Sequence, residues 1–311
     1  DLPIKVYAGT DAICQIVEDS EIDIVLTAMV GYAGLKPTMN AIRARKPIAL
    51  ANKETLVVAG ELINDMARLS GTPILPVDSE HSAVFQCLAG ELGNPIEKVI
   101  LTASGGPFRG KKQEDLLNIR VEDALKHPNW AMGRKITIDS STMVNKGLEV
   151  MEARWLFNVD IDDVQVVVQP QSVIHSMVEY VDGAVIAQLG TPDMKLPIQY
   201  ALYYPERRFL PGERVDFWSI GHLDFEKPDM DTFYGLALAY EAGRCGGTLP
   251  TVFNAANELA VSQFLNREIK YLEITEIIED CMKAHKTIAN PTVEQILDTE
   301  QETYDRIRSR R

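Results

Sequence analysis

Apolar runs and helical patterns alternate over the first 78 residues, and few folds are compatible with that order of segments. The runs are continuous rather than alternating with polar residues, which is typical of parallel strands buried on both faces. They occupy residues 22–29, 48–51 and 74–78, and helical stretches occupy residues 37–45 and 54–69. The β-α-β-α-β order predicts a doubly wound parallel sheet of the α/β class, an architecture that often binds nucleotides.

A glycine-rich phosphate loop normally follows the first strand of such a sheet, and this sequence has none. Gly9, Gly31 and Gly34 do not form the G-x-G-x-x-G pattern. The chain also opens inside an apolar run and without methionine. We therefore expect a partial nucleotide-binding sheet, in a chain that is an incomplete version of a longer protein.

From residue 79 the pattern changes to that of an α+β domain with one mixed sheet. Strands are predicted at residues 99–103, 136–139, 164–169 and 184–189. Asp182 and Gly183 are typical of a tight hairpin turn.

The last part of the chain reads as helical. Helices are predicted at residues 233–244, 251–267, 274–287 and 293–310. The predicted organisation is a partial nucleotide-binding domain (1–78), an α+β domain (79–204), a proline-containing connector (205–230) and a C-terminal α-helical domain (231–311).

Composition and charge argue against several classes of protein. The chain has 31 lysines and arginines and 45 aspartates and glutamates, which gives a net charge of −14. Nucleic acid is not an expected partner, because binding to a duplex requires a basic face. No apolar stretch approaches the roughly 20 residues of a membrane span, so no membrane partner is expected either. The four isolated cysteines predict free thiols in a reducing compartment.

Asp78 and Glu80 stand two residues apart at the end of the third predicted strand. In an extended segment their side chains would point to the same side. Two carboxylates in that position suit a hard divalent cation, Mg²⁺ or Mn²⁺. A helix N-cap at Asp78 or Ser79 is the alternative interpretation.

The polar segment at residues 139–147 runs into a predicted helix. Ser140, Asn145 and Lys146 would bring hydroxyl, amide and ammonium groups to the start of this helix, where they suit a phosphate. Glu149 follows Asn145 by four residues, so the two share a face and Glu149 can turn towards the predicted metal site. A serine that merely caps the helix is the alternative.

Three further segments are candidates for a site. Ser104 precedes two glycines, which let the backbone approach an anion closely. Trp130 and Met132 lie on a loop that could act as a flap and exclude water, although a tryptophan packed on its own domain is as good an interpretation. Lys53 follows a strand end, where open α/β sheets bind ligands. His175 lies in an apolar stretch and is interpreted as structural.

At these segments the sequence resembles the 1-deoxy-D-xylulose 5-phosphate reductoisomerase family. The resemblance covers essentially the whole chain and is most specific over residues 127–155. The other matching segments are residues 50–54, 77–81, 104–108, 169–176, 187–190, 192–194 and 253–258. The resemblance implies an enzyme of the non-mevalonate isoprenoid pathway that depends on NADPH and on a divalent metal.

The resemblance also implies a role for each matching residue. Three carboxylates would bind Mg²⁺ or Mn²⁺: Asp78, Glu80 and Glu149. Lys53 and His127 would be catalytic together with these ligands, and would contact the sugar together with Ser79 and Glu80. The substrate phosphate would lie against Ser104, Ser140, Asn145 and Lys146, beside the metal ligand Glu149. The flap would carry Trp130 and Met132. The cofactor NADPH would be lined by Asn52, Glu54 and Gly133.

The implied reaction converts 1-deoxy-D-xylulose 5-phosphate into 2-C-methyl-D-erythritol 4-phosphate. The carbon skeleton would rearrange by retro-aldol cleavage and re-joining or by a ketol shift, and NADPH would then reduce the resulting aldehyde. Family members carry a Gly-rich NADPH loop before the point where this chain begins. The 311 residues by themselves are therefore expected to bind metal and the sugar phosphate but to hold NADPH poorly.

The resemblance implies a homodimer, with the bacterial cytoplasm as the expected location and a plastid as the alternative. Two other functions remain open at this point. One is another NADPH-dependent enzyme on a similar sheet, such as a semialdehyde or homoserine dehydrogenase, which would act without added Mn²⁺. The other is a non-enzymatic binder of metal and sugar phosphate.

Overall fold

Three parallel strands form the first sheet of the computed structural model, which describes residues 6–91, 93–130 and 132–310. The strands, in order across the sheet, are β1 (Val25–Thr27), β2 (Ile48–Leu50) and β3 (Ile74–Pro76). Three helices alternate with them: α1 (Thr10–Ile16), α2 (Leu35–Arg43) and α3 (Lys53–Ser70). The predicted alternation is confirmed, with shorter strands than expected. The apolar run that opens the chain lies mostly in residues 1–5, outside the described residues.

The second sheet is mixed, as predicted. Its strands are β4 (Ile96–Ala103), β5 (Val164–Val168), β6 (Ile174–Tyr180) and β7 (Val185–Leu189), in the order β5-β4-β6-β7. Strand β4 runs parallel to β5 and antiparallel to β6, and β6 and β7 are antiparallel. The predicted hairpin turn joins β6 to β7, where Gly183 adopts a φ of 82°. Strand β6 itself was not among the predicted strands.

The strand predicted at residues 136–139 is wrong. These residues belong to a helix, α7 (Arg134–Ser141). The segment reads Ile-Thr-Ile, and a short run of β-branched residues cannot be distinguished from a buried helix by its pattern alone. In the structure Ile138 is fully buried and packs in the core. The polar segment after it is correspondingly shorter than predicted.

Five further helices belong to the middle region of the chain, and some of them pack on the second sheet. They are α4 (Ser79–Cys87), α5 (Gln113–Leu116), α6 (Val121–Ala124), α8 (Val144–Phe157) and α9 (Lys195–Tyr203). Residues 205–230 then form a mostly irregular segment that includes the short helix α10 (Phe217–Ile220) and one bridge from Glu226 to Val168.

The C-terminal part is helical, as predicted. Its helices are α11 (Tyr234–Cys245), α12 (Leu249–Leu265), α13 (Glu273–Ala284) and α14 (Val293–Arg308). One continuous hydrophobic core includes residues from the first sheet, the second sheet and these helices. The C-terminal helices therefore support the elements that carry the site.

Helix α8 packs against both α3 and α11. It meets α11 where Gly147 faces Ala239, and both residues are buried. A Cβ atom on Gly147 would lie 2.3 Å from the Cβ of Ala239. The two helices can approach this closely only because Gly147 has no side chain.

The four cysteines are free thiols, as predicted, and the reducing compartment stays a prediction. Among the described residues, no helix is both long enough and apolar enough to span a membrane.

We expect Gly147→Ala to lower the free energy of unfolding by about 1–2 kcal/mol. Overpacking costs about 1–3 kcal/mol, and the better helix propensity of alanine offsets at most about 1 kcal/mol of it. Denaturant unfolding followed by circular dichroism measures the change. The matched control is the double variant Gly147→Ala/Ala239→Gly, which moves the methyl group from one helix to the other and should return close to wild type. A double variant no more stable than the single one would contradict this account of the contact.

Candidate functional site

A cleft of about 340 Å³ lies where the two sheets and helix α8 meet. Every residue predicted to bind metal or substrate or to form the flap contributes to its wall: Lys53, Asp78, Ser79, Glu80, Ser104, His127, Trp130, Met132, Ser140, Asn145, Lys146 and Glu149. These residues come from the ends of β2, β3 and β4, from the loop before α7, and from the junction of α7 and α8. Among these predicted residues, Lys53 and Glu149 come into contact although they are 96 positions apart along the chain.

Three carboxylates converge at one end of the cleft. Asp78, Glu80 and Glu149 each offer an oxygen atom, and these atoms lie within 4.8 Å of one another. Glu149 is almost fully buried, and the other two side chains are mostly buried. Such a group of oxygen ligands is the kind that Mg²⁺ and Mn²⁺ prefer.

The local structure that brings Asp78 and Glu80 together differs from the predicted one. Strand β3 ends at Pro76, and Asp78 is the N-cap of α4 rather than part of an extended segment. Its carboxylate accepts a hydrogen bond from the backbone N–H of Glu80 at 3.3 Å. The capping interpretation and the clustering of carboxylates are therefore both correct, because the cap itself turns the two side chains towards one point.

Two lysines neutralise most of the charge of these carboxylates. Lys53 Nζ lies 2.5 Å from Asp78 Oδ2 and 3.3 Å from Glu149 Oε1. Lys146 Nζ lies 2.8 Å from Glu80 Oε1 and also contacts Glu149. The cluster thus has one more carboxylate than ammonium groups. It therefore keeps an excess of negative charge that suits a cation.

The pKa values of the cluster follow from burial and from these contacts. Burial by itself lowers the pKa of Lys53, but the carboxylates of Asp78 and Glu149 outweigh burial and raise it well above the usual value. Burial raises the pKa of Asp78, and Lys53 and His81 reverse this effect, so that the pKa lies well below its usual range. Glu80 has a raised pKa because of burial and the neighbouring Glu149. The cluster is therefore strongly coupled electrostatically.

The donor set fits a divalent metal. Mg²⁺ and Mn²⁺ bind carboxylate oxygens, and the three carboxylates place one oxygen each within 4.8 Å of one another. Lysine ammonium groups lie between these same oxygens, which indicates that this position attracts positive charge.

A histidine and a glutamate behind the carboxylates were not among the predicted site residues. His81 Nε2 lies 2.9 Å from the backbone oxygen of Glu149, and His81 Nδ1 lies 3.1 Å from Glu152 Oε2. Both side chains are almost completely buried. Burial raises the pKa of Glu152 to about 7. The signal for Glu152 in the sequence was its position three residues after Glu149, on the same side of the helix.

Serine and amide groups line the wall beside the carboxylates. Ser104 Oγ accepts a hydrogen bond from the backbone N–H of Gly106 at 3.2 Å. Gly106 has a φ of 68°, and a Cβ there would lie 2.8 Å from the backbone oxygen of Ser140. The glycine therefore lets the Ser104 loop lie against the end of α7. Asn145 accepts a hydrogen bond from Lys53 Nζ at 3.0 Å, which joins this wall to the carboxylates.

Met143 connects α7 to α8 with a φ of 60°, a conformation that non-glycine residues rarely adopt. On either side of it, Ser140 at the end of α7 and Asn145 at the start of α8 both line the cleft. Strained backbone of this kind is frequent at functional sites. The sequence carried no signal for it.

The predicted flap forms the outer wall. His127 Nδ1 accepts hydrogen bonds from the backbone N–H groups of Asn129 and Trp130, at 3.2 and 2.9 Å. Its Nε2 lies 3.0 Å from Ser104 Oγ and therefore carries the hydrogen, which it donates to this oxygen. Burial lowers the pKa of His127, which favours the neutral ring. Ala131, between Trp130 and Met132, lies outside the described residues.

The three predicted cofactor residues lie away from the cleft wall. Asn52 and Glu54 are buried at the start of α3, where Asn52 Nδ2 donates to Glu54 Oε2 at 2.9 Å and to the backbone oxygen of Gly31 at 3.1 Å. Gly133 is the N-cap of α7. The link between the two segments is Lys135 of α7, whose Nζ lies 3.4 Å from Glu54 Oε1, and the cofactor role of the three residues stays a prediction.

Several residues of the wall were missed or interpreted otherwise from the sequence. His175 was interpreted as structural; it lines the cleft, with its ring centroid 6.2 Å from that of Trp130. Ser172 Oγ accepts a hydrogen bond from Asn129 at 2.7 Å and so ties the flap loop to the second sheet. The other missed residues include Thr102, Met143, Gln169 and Met194. No spacing pattern in the sequence marks these residues, so only the fold identifies them.

Three family models match the chain, and all describe the same enzyme. A model of 1-deoxy-D-xylulose 5-phosphate reductoisomerase matches residues 1–60. A model of the C-terminal domain of this enzyme matches residues 74–157. A model described as the DXP reductoisomerase C-terminal domain matches residues 189–306.

Curated relatives match along the whole chain. The 1-deoxy-D-xylulose 5-phosphate reductoisomerase of Agathobacter rectalis is 64% identical over 310 residues, which are 100% of this chain and 82% of that protein. The enzyme of the same name from Bacteroides fragilis is 63% identical over 302 residues, with 97% of this chain and 78% of that protein covered.

Solved structures agree. A reductoisomerase from Zymomonas mobilis in complex with NADPH has a TM-score of 0.88 and 44% identity, over 95% of this chain and 76% of that chain. A DOX-P reductoisomerase in complex with NADPH, fosmidomycin and magnesium has a TM-score of 0.92 and 43% identity, over 97% of this chain and 78% of that chain. By sequence and by fold, this chain belongs to the 1-deoxy-D-xylulose 5-phosphate reductoisomerase family.

Proposed function

We propose that this chain converts 1-deoxy-D-xylulose 5-phosphate into 2-C-methyl-D-erythritol 4-phosphate, with NADPH and a divalent metal, in the non-mevalonate isoprenoid pathway. The observation that carries the proposal is the convergence of Asp78, Glu80 and Glu149 in one cleft with Lys53 and Lys146. The close relatives bear the name of this enzyme, and one solved relative holds NADPH and magnesium together.

Asp78, Glu80 and Glu149 would hold the metal, which is Mg²⁺ or Mn²⁺. A divalent cation bound there polarises the substrate carbonyl and stabilises negative charge on its oxygen. Lys53 lies beside these ligands, with its pKa raised, so its ammonium group remains charged and can also donate to a substrate oxygen. Ser79 lies between Asp78 and Glu80 in the sequence, and its side chain lines the same cleft.

Ser104, Ser140, Asn145 and Lys146 would bind the phosphate of the substrate. They supply hydroxyl, amide and ammonium donors on one wall of the cleft, and such charge-assisted hydrogen bonds favour a dianion. In the structure Lys146 pairs with Glu80 and Glu149, so its ammonium group lies between the carboxylates and this wall. A phosphate held here would keep the two parts of a cleaved sugar in register.

His127 would orient the substrate from the flap side. Its Nδ1 is fixed by two backbone N–H groups, so the ring presents Nε2–H to Ser104 and to the cleft. Trp130 and Met132 belong to the same loop and would cover the substrate and exclude water.

Asn52, Glu54 and Gly133 would line NADPH, which supplies the hydride when bound. Asn52 holds the backbone of Gly31 and the carboxylate of Glu54, so the loop after β1 and the start of α3 form one unit. The carboxyl ends of parallel strands are where sheets of this type bind nucleotides.

We also propose that the protein is a homodimer in the bacterial cytoplasm. The matched relatives are bacterial. Strand β7 lies at the edge of the second sheet and exposes Val185 and Ile186. Residues 205–224 expose large apolar side chains, including Phe209 and Trp218, of which Trp218 is 95% exposed. A second copy of the chain would cover these surfaces.

We keep the division at residues 78, 204 and 230 as the proposed domain organisation.

The deciding experiment follows NADPH oxidation at 340 nm with 1-deoxy-D-xylulose 5-phosphate, with Mg²⁺, with Mn²⁺ and after removal of metal. We expect turnover that disappears with EDTA and returns with either ion. The measurement is made on this chain and on the intact gene product. Substrate binding without any NADPH oxidation by the intact product would favour a non-enzymatic binder and overturn the proposal.

We expect Glu149→Gln to lower kcat by at least about 100-fold, because a metal ligand that stabilises the reacting oxygen contributes several kcal/mol to the transition state. Binding of Mn²⁺, measured by titration calorimetry, should weaken in parallel. The matched control is Asp65→Asn, an exposed carboxylate on α3 that pairs only with Arg68 among the described contacts. A variant that binds Mn²⁺ as tightly as wild type would remove Glu149 from the proposed metal site.

We expect light scattering to give a dimer for the wild type and a larger monomer fraction for Ile186→Asp, because a charge at the edge strand opposes burial in an interface. Leu69→Asp places the same charge on an exposed position of α3 and should leave the dimer intact. A wild-type protein that is monomeric at micromolar concentration would overturn the homodimer.

A further inference from the structure

Helix α7 connects the flap to the phosphate wall of the cleft. Its N-cap, Gly133, directly follows Met132 of the flap, and Ser140 lies in its last turn. A rigid displacement of this helix would therefore move the flap and the phosphate wall together. The contacts that hold α7 in place therefore affect the positions of the flap and of the phosphate wall as well as the stability of the fold.

Lys135 is the residue that attaches α7 to the cofactor side. Its Nζ lies 2.8 Å from Asp139 Oδ2 on the same helix and 3.4 Å from Glu54 Oε1 at the start of α3. Lys135 is not part of the cleft wall, and its side chain is 25% exposed. Asp139 and Glu54 are buried, so their carboxylates depend on this shared ammonium group.

The contacts of Lys135 continue in two directions. Towards the first sheet, Glu54 accepts from Asn52, and Asn52 in turn holds the backbone oxygen of Gly31. Towards the C-terminal helices, Asp139 Oδ1 accepts from Asn257 Nδ2 at 2.9 Å. Lys135 thus stands where polar contacts from all three regions of the molecule meet.

The electrostatics support a permanently charged link. Burial by itself lowers the pKa of Lys135, but the carboxylates of Asp139, Glu54 and Glu258 outweigh it and raise the pKa above the usual value. A charge held between two buried carboxylates follows them when they move, since separation would leave each carboxylate with a neutral amide donor but without this ammonium group.

On the basis of the proposed function, we propose that Lys135 is a positioning residue that couples the cofactor site to the flap. Glu54 belongs to the proposed NADPH site, and α7 begins where the flap ends. A cofactor that fixes Glu54 therefore fixes Lys135, and Lys135 fixes the start of α7. The flap and Ser140 are then ordered before the substrate phosphate arrives.

Hydrogen exchange of residues 127–134 in the intact gene product, with and without saturating NADPH, tests the coupling. In the wild type we expect NADPH to slow exchange by about 5-fold or more, the usual lower range for coupled sites. In Lys135→Met this protection should be lost, and KM for the substrate should rise more than kcat falls. Lys135→Arg, which keeps the charge, should restore both.

Two further variants separate positioning from simple destabilisation. Lys283→Met removes a lysine that pairs with Glu279 on α13 in the same i,i+4 spacing but on the surface, and should leave the protection unchanged. The double variant Lys135→Met/Asp139→Asn also removes the link. It replaces the carboxylate of Asp139, the more buried of the two partners, by a neutral amide, so no buried charge is left there and the protein should fold even if the single variant does not. The double variant should also lack protection by NADPH.

The outcomes distinguish the two proposals. If NADPH protects the wild type and protects either Lys135→Met or the double variant equally, the coupling is overturned and the proposed function stands. If NADPH changes nothing in the wild type, the cofactor site and the coupling both fail. Loss of activity that Lys135→Arg does not restore, with protection intact, would assign Lys135 a purely structural role.

Discussion

The burial of three carboxylates beside two ammonium groups is the constraint on which the site depends. A lone carboxylate in such surroundings would lose its hydration without compensation and would take up a proton instead. Lys53 and Lys146 prevent this, and they can do so only if the starts of α3, α4 and α8 meet within a few ångströms. The packing of α8 against α3 and α11 is therefore required for the site, because it brings charged side chains from distant parts of the sequence together.

Much of this arrangement could be predicted from local pattern. Continuous apolar runs identify the strands of the first sheet, and polar residues after β2 and β3 must share an edge because the strands are parallel. Lys53 and Asp78 were candidates because each follows a strand end, and the family resemblance gave them their predicted roles. The grouping of Ser140, Asn145 and Glu149 followed from helical spacing together with the family resemblance. All of these side chains line the cleft, although their individual roles stay proposals.

The rest depended on tertiary contacts that a local pattern cannot encode. The Ile-Thr-Ile run favoured a strand over residues 136–139, but burial of Ile138 against the core stabilises a helix there. Asp78 and Glu80 cluster through an N-cap rather than through an extended segment. His175 read as a core histidine, since only the fold shows that one side of its ring faces a cleft. Lys135 carried no motif, because its partner Glu54 is 81 residues away.

The contact between Gly147 and Ala239 also limits how this cleft can evolve. Two residues in one turn of α8, Lys146 and Glu149, line the cleft, while Gly147 contacts helix α11 at very short range. Mutation at that face can do little more than exchange one small residue for another, and any gain of volume requires a compensating loss across the interface. Variation among homologues should consequently concentrate in the loop that carries Trp130, where Gly133 has open space around it, rather than in the Ser104 loop, where Gly106 is restricted in the same way.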